Sequence, residues 1–240
     1  MKRYFLAIVC CLLVCPVAYS QFDTLCKAEL LNYITTMGFK SPEYEKQTFY
    51  LDYSVSSFFS PESGLPDQHI DIKAYASAGL SIIESKPVSV YCDVNNSYAV
   101  MHDLKLISIG EGNVNFSDSS DAQKLFELQK DLIFNSSLES CITKEDKGRY
   151  YRYTRFCLAK PVSEEIKIKT FSIWFDTNLK MIYKVELNYI EGQPIKKQVI
   201  VYNSVNTDYK PHINGTAREK VFTRSGSLIP KYKGYTILNN

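Results

Sequence analysis

Chemistry in this chain would have to start from two histidine–aspartate pairs, His69 with Asp71 and His102 with Asp103. His69 and Asp71 are two residues apart, so on a strand they share a face, where a carboxylate can orient an imidazole toward a nucleophile. His102 and Asp103 are adjacent and would point to opposite faces. The motifs that mark a nucleophile, a metal or a phosphate are missing: there is no G-x-S-x-G, no H-E-x-x-H, no P-loop, and no C-x-x-C after residue 20. No catalytic residue is assigned, and a hydrolase using His69 and Asp71 ranks third among the readings. Glu111, Asp118 and Asp121 sit in an acidic stretch without the spacing of a calcium loop. They suit the start of a helix, where the dipole favours acids, so neither a metal nor a cofactor is expected.

Binding chemistry has more to work with. Arg149, Arg152 and Arg155 interleave with Tyr150, Tyr151 and Tyr153. On a strand Arg149, Tyr151, Tyr153 and Arg155 share one face, a candidate basic-aromatic patch, while Arg152 points the other way. Phe49, Tyr53, Trp174, Tyr183 and Val185 are the candidate wall of an apolar ligand site. N-x-[ST] sequons begin at Asn95, Asn115, Asn135 and Asn214; in a glycosylating host they would mark surface loops.

Residues 1–20 read as a cleaved export signal: Lys2 and Arg3, an apolar run from Tyr4 to Val14, then Ala18-Tyr19-Ser20. The mature chain is expected to start at Gln21 and to work in the periplasm or outside the cell, with no membrane-spanning segment. Cys15 is the one place for a lipid anchor, and Val14 is too bulky for the residue before a lipidated cysteine. The signal carries two of the 28 Lys and Arg and none of the 26 Asp and Glu, which leaves 26 of each sign. Such a balance argues against nucleic acid as partner. Cys26, Cys92, Cys141 and Cys157 remain, and in an oxidising compartment they are candidate disulfide partners in any of three full pairings. If Asp146-Lys147-Gly148 is a hairpin turn, Cys141 lies opposite Tyr153 or Thr154. Cys157 would then sit about three residues, or about 10 Å, too far along for an unstrained bridge to Cys141.

These residues must be positioned by strands. Phe22, Cys26, Leu30, Tyr33 and Met37 recur at helical spacing, with Gly38 as a C-cap. The period then changes to two: Phe49, Leu51, Tyr53, Val55 and Phe59 alternate with Asp52, Ser54 and Ser56. Pro61, Gly64 and Pro66 mark a loop, and strand-like runs follow at 70–76, 80–83, 88–92, 98–101 and 104–109. Ser120 and Gln123 form a capping box for a second helix carrying Ala122, Leu125, Phe126, Leu132 and Ile133. Strands resume at 149–158, 166–176, 181–190 and 195–202, with short turns between them that imply antiparallel neighbours. A loop-like stretch at 203–216 and two short segments, 220–224 and 234–238, close the chain. The sum is an α+β fold, a curled, half-open antiparallel sheet of about ten strands with two helices on or in its concave face. Residues 21–240 are read as one domain with a short C-terminal extension after about residue 203.

The order of elements resembles the LolA/LolB-like superfamily of periplasmic lipoprotein carriers. The texture of Ser89 to Ile109, Phe171 to Leu187 and the ending from Ile229 is also similar to exported proteins of Bacteroidota with that fold. The resemblance implies a half-barrel whose concave face takes acyl chains. The expected function is a non-enzymatic exported binding protein that holds a lipid, a lipoprotein acyl chain or a partner segment. A cell-envelope assembly module, with a self-filled core and a protein partner, is the alternative.

Overall fold

The computed structural model describes residues 25–34, 49–77, 79–112, 130–206, 209 and 214–239. Helical residues 25–34 (α1) come first. They are followed by β1 (Phe49–Phe59), β2 (Gln68–Ser77), β3 (Leu80–Ser85), β4 (Val88–Asp93), β5 (Asn96–Met101) and β6 (Leu106–Glu111). Helical residues 130–134 (α2) lead into β7 (Ser137–Asp146) and β8 (Arg149–Cys157). Then come α3 (Lys160–Ile166), β9 (Ile168–Asp176), β10 (Met181–Tyr189), β11 (Ile195–Asn206) and β12 (Thr236–Asn239). The α+β class holds, and all the strand pairings described below are antiparallel except β12 with β6, which run parallel. The signal, Cys15, the capping box at Ser120 and the acids Asp118 and Asp121 lie outside the described residues.

The chain divides into two compact units. The first holds α1, α2, α3 and the strand order β10-β9-β8-β7. Alternation sends Phe156 of β8 and Phe171, Ile173 and Phe175 of β9 to one side, where they bury Leu30 and Ile34 of α1 and Ile133 of α2. The α1 stripe read from sequence thus has its partner. Cys26 of α1 is disulfide-bonded to Cys141 of β7. Cys141 stands opposite Thr154, as the hairpin turn implied, whereas Cys157 pairs with Ser137 and remains a free thiol, like Cys92. Of the four candidate cysteines, two form one bridge and two stay as thiols. The strand expected from residue 166 begins at Ile168, because Pro161 starts the short α3, which Lys167 ends with φ 63°.

The β7–β8 hairpin turns through Lys147 and Gly148, with φ 51° and 75°. Two consecutive left-handed residues define the tight turn that matches strand twist, and a lysine there has a strained backbone. Lys147→Asn keeps the turn with a residue that tolerates it, so it is expected to stabilise the protein by about 0.5–1 kcal/mol. Urea unfolding checks this, and a lower midpoint would sink it.

The second unit has the order β12-β6-β5-β4-β3-β2-β1-β11. One face carries Leu80, Ile82, Tyr91, Tyr98, Val100 and Ile107, and Ala217, Val221 and Tyr232 are buried against it. Segment 214–235 is thus a cover rather than a loose end. The short segment read at 220–224 follows a 3-10 turn, Arg218–Lys220, and carries an isolated bridge between Phe222 and Leu228. Strand β11 runs on to Asn206, through residues read as loop. Buried Asp93 anchors the cover: its Oδ1 accepts from the amides of Asn95 and Asn96, and its Oδ2 from that of Ala217 at 2.8 Å.

Candidate ligand-binding face

The odd-numbered residues of β1 point away from that cover, and register carries their face across the second unit. Leu51 pairs with Ala74 and Val205, Tyr53 with Ile72 and Tyr202, and Val55 with Ile70 and Ile200. Beyond β2, Ala74 leads to Ile83, then to Val90 and then to Ala99. A register shift opposite Asp52 and Tyr53 leaves Asn203 as the extra residue, which keeps both Tyr202 and Val205 on this face. Asn203 Nδ2 in turn donates to Asp52 Oδ1 at 3.1 Å.

This face is apolar yet not closed. Its members are half-buried or, like Ile83 at 38%, exposed, and none belongs to a core cluster among the described residues. Small side chains keep parts of it low: Ala74, Ala99, Ser97 and Gly110, where an added Cβ would meet Ser97 Cβ at 4.0 Å and nothing nearer. Burial raises the Tyr53 phenol above the usual tyrosine range, so it stays uncharged. The chemistry on offer is apolar contact with hydroxyls at intervals, suited to a hydrocarbon body rather than to a reacting group.

Of the five candidate wall residues, Phe49 and Tyr53 lie on this face. Trp174, Tyr183 and Val185 belong to the first unit and do not form one wall there. Val185 pairs with Ile173 on the side packed by the helices. Trp174 pairs with Tyr153 on the opposite side, where Tyr183 stacks on Tyr151 at 4.4 Å. The cause is a register shift between Ile182 and Lys184, which breaks the alternation that sequence assigned to Tyr183 and Val185.

Arg149, Tyr151, Tyr153 and Arg155 share a side as expected. Tyr151 and Tyr153 are 3% and 7% exposed, so they offer no open stacking platform. Arg155 Nε lies 2.7 Å from Glu139 Oε2, and Arg152 on the other side is 3.6 Å from Glu29 of α1.

His69 does have a hydroxyl beside it. Its Nδ1 is 2.9 Å from Ser56 Oγ and its Nε2 is 3.3 Å from Asp71 Oδ1. Sequence reading missed Ser56, which only the β1–β2 register reveals. The histidine and aspartate side chains are 59% and 77% exposed, and Ser56 sits on a strand paired on both edges. The trio therefore lies on an open, solvated surface, where electrostatic stabilisation of an oxyanion is weak. His102 is engaged structurally: Nε2 meets Ser89 Oγ at 2.8 Å and Nδ1 meets the Tyr235 hydroxyl of the cover at 3.3 Å. No group of three or more metal-ligating side chains converges among the described residues, and no described helix is long and apolar enough to cross a membrane.

No family model matches the chain, and no curated protein does. Solved structures to which it is similar include a LolA superfamily protein of Nitrosomonas europaea, at 9% identity and TM-score 0.29, covering 81% of this chain and 96% of that one. LprF of Mycobacterium bovis is similar at 10% identity and TM-score 0.45, covering 79% and 97%. The lipoprotein LppX of Mycobacterium tuberculosis is similar at 11% identity and TM-score 0.41, covering 78% and 100%.

Proposed function

We propose that this chain is a non-enzymatic binding protein that works outside the cytoplasm and holds an apolar ligand, a lipid or acyl chain, on the face built around Tyr53 and Ile72. The observation that carries this reading is an extended apolar sheet face left half-exposed while segment 214–235 covers the opposite face of β3 to β6. A monomer seldom leaves so contiguous an apolar surface open without a use for it. Burying about 300 Å2 of an acyl chain there supplies about 7 kcal/mol before the costs of association. The Cys26–Cys141 disulfide supports the location, since such bonds persist in oxidising compartments.

The test is organic extraction and mass spectrometry of the protein purified from an oxidising compartment, followed by titration with an apolar fluorescent probe. A co-purifying lipid, or saturable probe binding that Ile72→Glu weakens at least tenfold, is the expected result. The variant's unfolding midpoint should move little, because Ile72 is half-exposed. A protein that carries no lipid and binds no probe would return the assembly-module reading to first place.

A further inference from the structure

The first unit holds a second site of different chemistry. On the side of its sheet away from α1 and α2, Tyr151, Tyr153 and Trp174 form a buried layer with Tyr183 packed against it. Register places Lys144 of β7 opposite Tyr151, and its ammonium reaches 3.5 Å from the Tyr153 ring centroid and 5.4 Å from that of Trp174. Lys184 places its own ammonium 3.6 Å from the Trp174 ring.

The two lysines differ in what neutralises them. Lys184 lies 3.2 Å from Asp146 and 3.7 Å from Glu186. Lys144 has no carboxylate and no hydrogen-bond acceptor among the described residues, only the rings beneath it. The other carboxylates on this side are already engaged, Glu139 with Arg155 and Asp176 with the amides of Asn178 and Leu179. Beside this unpaired cation is a second orphan donor: Trp174 is 9% exposed, and its indole Nε1 is buried with no acceptor among the described residues. Folded chains rarely leave a buried N–H unmade, because it gives up its bond to water and gains nothing in return.

We infer that Lys144 and Trp174 form a binding site for a small carboxylate. One oxygen would accept from the indole N–H and the other from the ammonium. A planar carboxylate with contacts of about 2.8 Å at each oxygen spans donors about 5 to 7 Å apart, and both donors here belong to the Trp174 ring or border it, the Lys144 ammonium lying 5.4 Å from its centroid. A lysine ammonium with one neutral N–H donor suits a singly charged carboxylate better than a phosphate, which carries nearly two charges.

The chain has one tryptophan, so its fluorescence reports this site directly. The full chain is titrated with sodium acetate at constant ionic strength, with sodium chloride and sodium phosphate as separate arms. The expected result is a saturable change in Trp174 emission with acetate alone, at least tenfold weaker in Lys144→Met and unaltered in Lys160→Gln. Lys144→Met keeps the aliphatic stem over the rings, and its unfolding midpoint is read alongside to show that it folds. A linear response, an equal response to chloride, saturation by phosphate instead of acetate, or an acetate response that survives Lys144→Met would each overturn the assignment. The readout belongs to the first unit and the Tyr53 and Ile72 face to the second, and Lys144→Met and Ile72→Glu test them separately.

Discussion

Tyr232→Ala is expected to destabilise the protein by about 4 kcal/mol, the cost of emptying a large aromatic site in a closed core. Tyr232 is fully buried, packs edge-on against Tyr235 at 5.3 Å and lies 2.8 Å, hydroxyl to hydroxyl, from Tyr91. The Tyr91 O–H donates to Glu84 Oε1 at 3.2 Å, so Tyr232 is the donor in the pair. Burial, more than these bonds, raises the Tyr91 phenol, which stays neutral. Truncation to alanine removes the ring that joins the cover to β4, whereas Tyr232→Phe removes one hydrogen bond and should cost about 1 kcal/mol. Urea unfolding of the two variants separates ring from hydroxyl. Hydrogen exchange adds the location: protection should fall in β3 to β6, the strands that the cover seals. A loss below 1 kcal/mol for the alanine variant would mean that segment 214–235 is an appendage after all.

That dependence was hard to read in the sequence, for a physical reason. The cover buries Ala217, Val221 and Tyr232 through short turns, and their spacing has neither the period of a strand nor that of a helix. Where a period exists, reading succeeds: Phe49–Phe59 has the bounds that its alternation indicated, because each odd residue faces one side of a paired strand. Alternation failed at Tyr183, where one extra residue in the register reverses the side on which a ring falls. Sites made by pairing are harder still. Ser56 and His69 meet only because β1 and β2 are in that register, and Lys144 reaches Trp174 only across the intervening β8. Composition and spacing list the parts of such sites but not which strands bring them together.

The same lesson applies to the disulfide, whose partners are 115 residues apart. Reduction of Cys26–Cys141 is expected to lower stability by about 4 kcal/mol, since a bridge across so long a loop removes much of the freedom of the unfolded chain. The argument is local. Cys26 is 1% exposed on α1, whose described grip on the sheet is Leu30 and Ile34 with their neighbours, so the bridge fixes the helix to β7 as well as shortening the unfolded loop. The check compares unfolding midpoints with and without reductant, using the double variant Cys26→Ser and Cys141→Ser as control. Wild type should shift down on reduction to match the variant, and the variant should not respond. Cys92 and Cys157 stay as free thiols throughout, so among the four cysteines after residue 20 alkylation after unfolding should label two before reduction and four after it, with Cys10, Cys11 and Cys15 adding three to each count in a chain that retains residues 1–20. A midpoint indifferent to reductant would remove the bridge from the account of stability. A shift of the expected size means that a reducing compartment would hold a much less stable first unit, which favours the exported location on energetic grounds, independently of the leader-like residues 1–20.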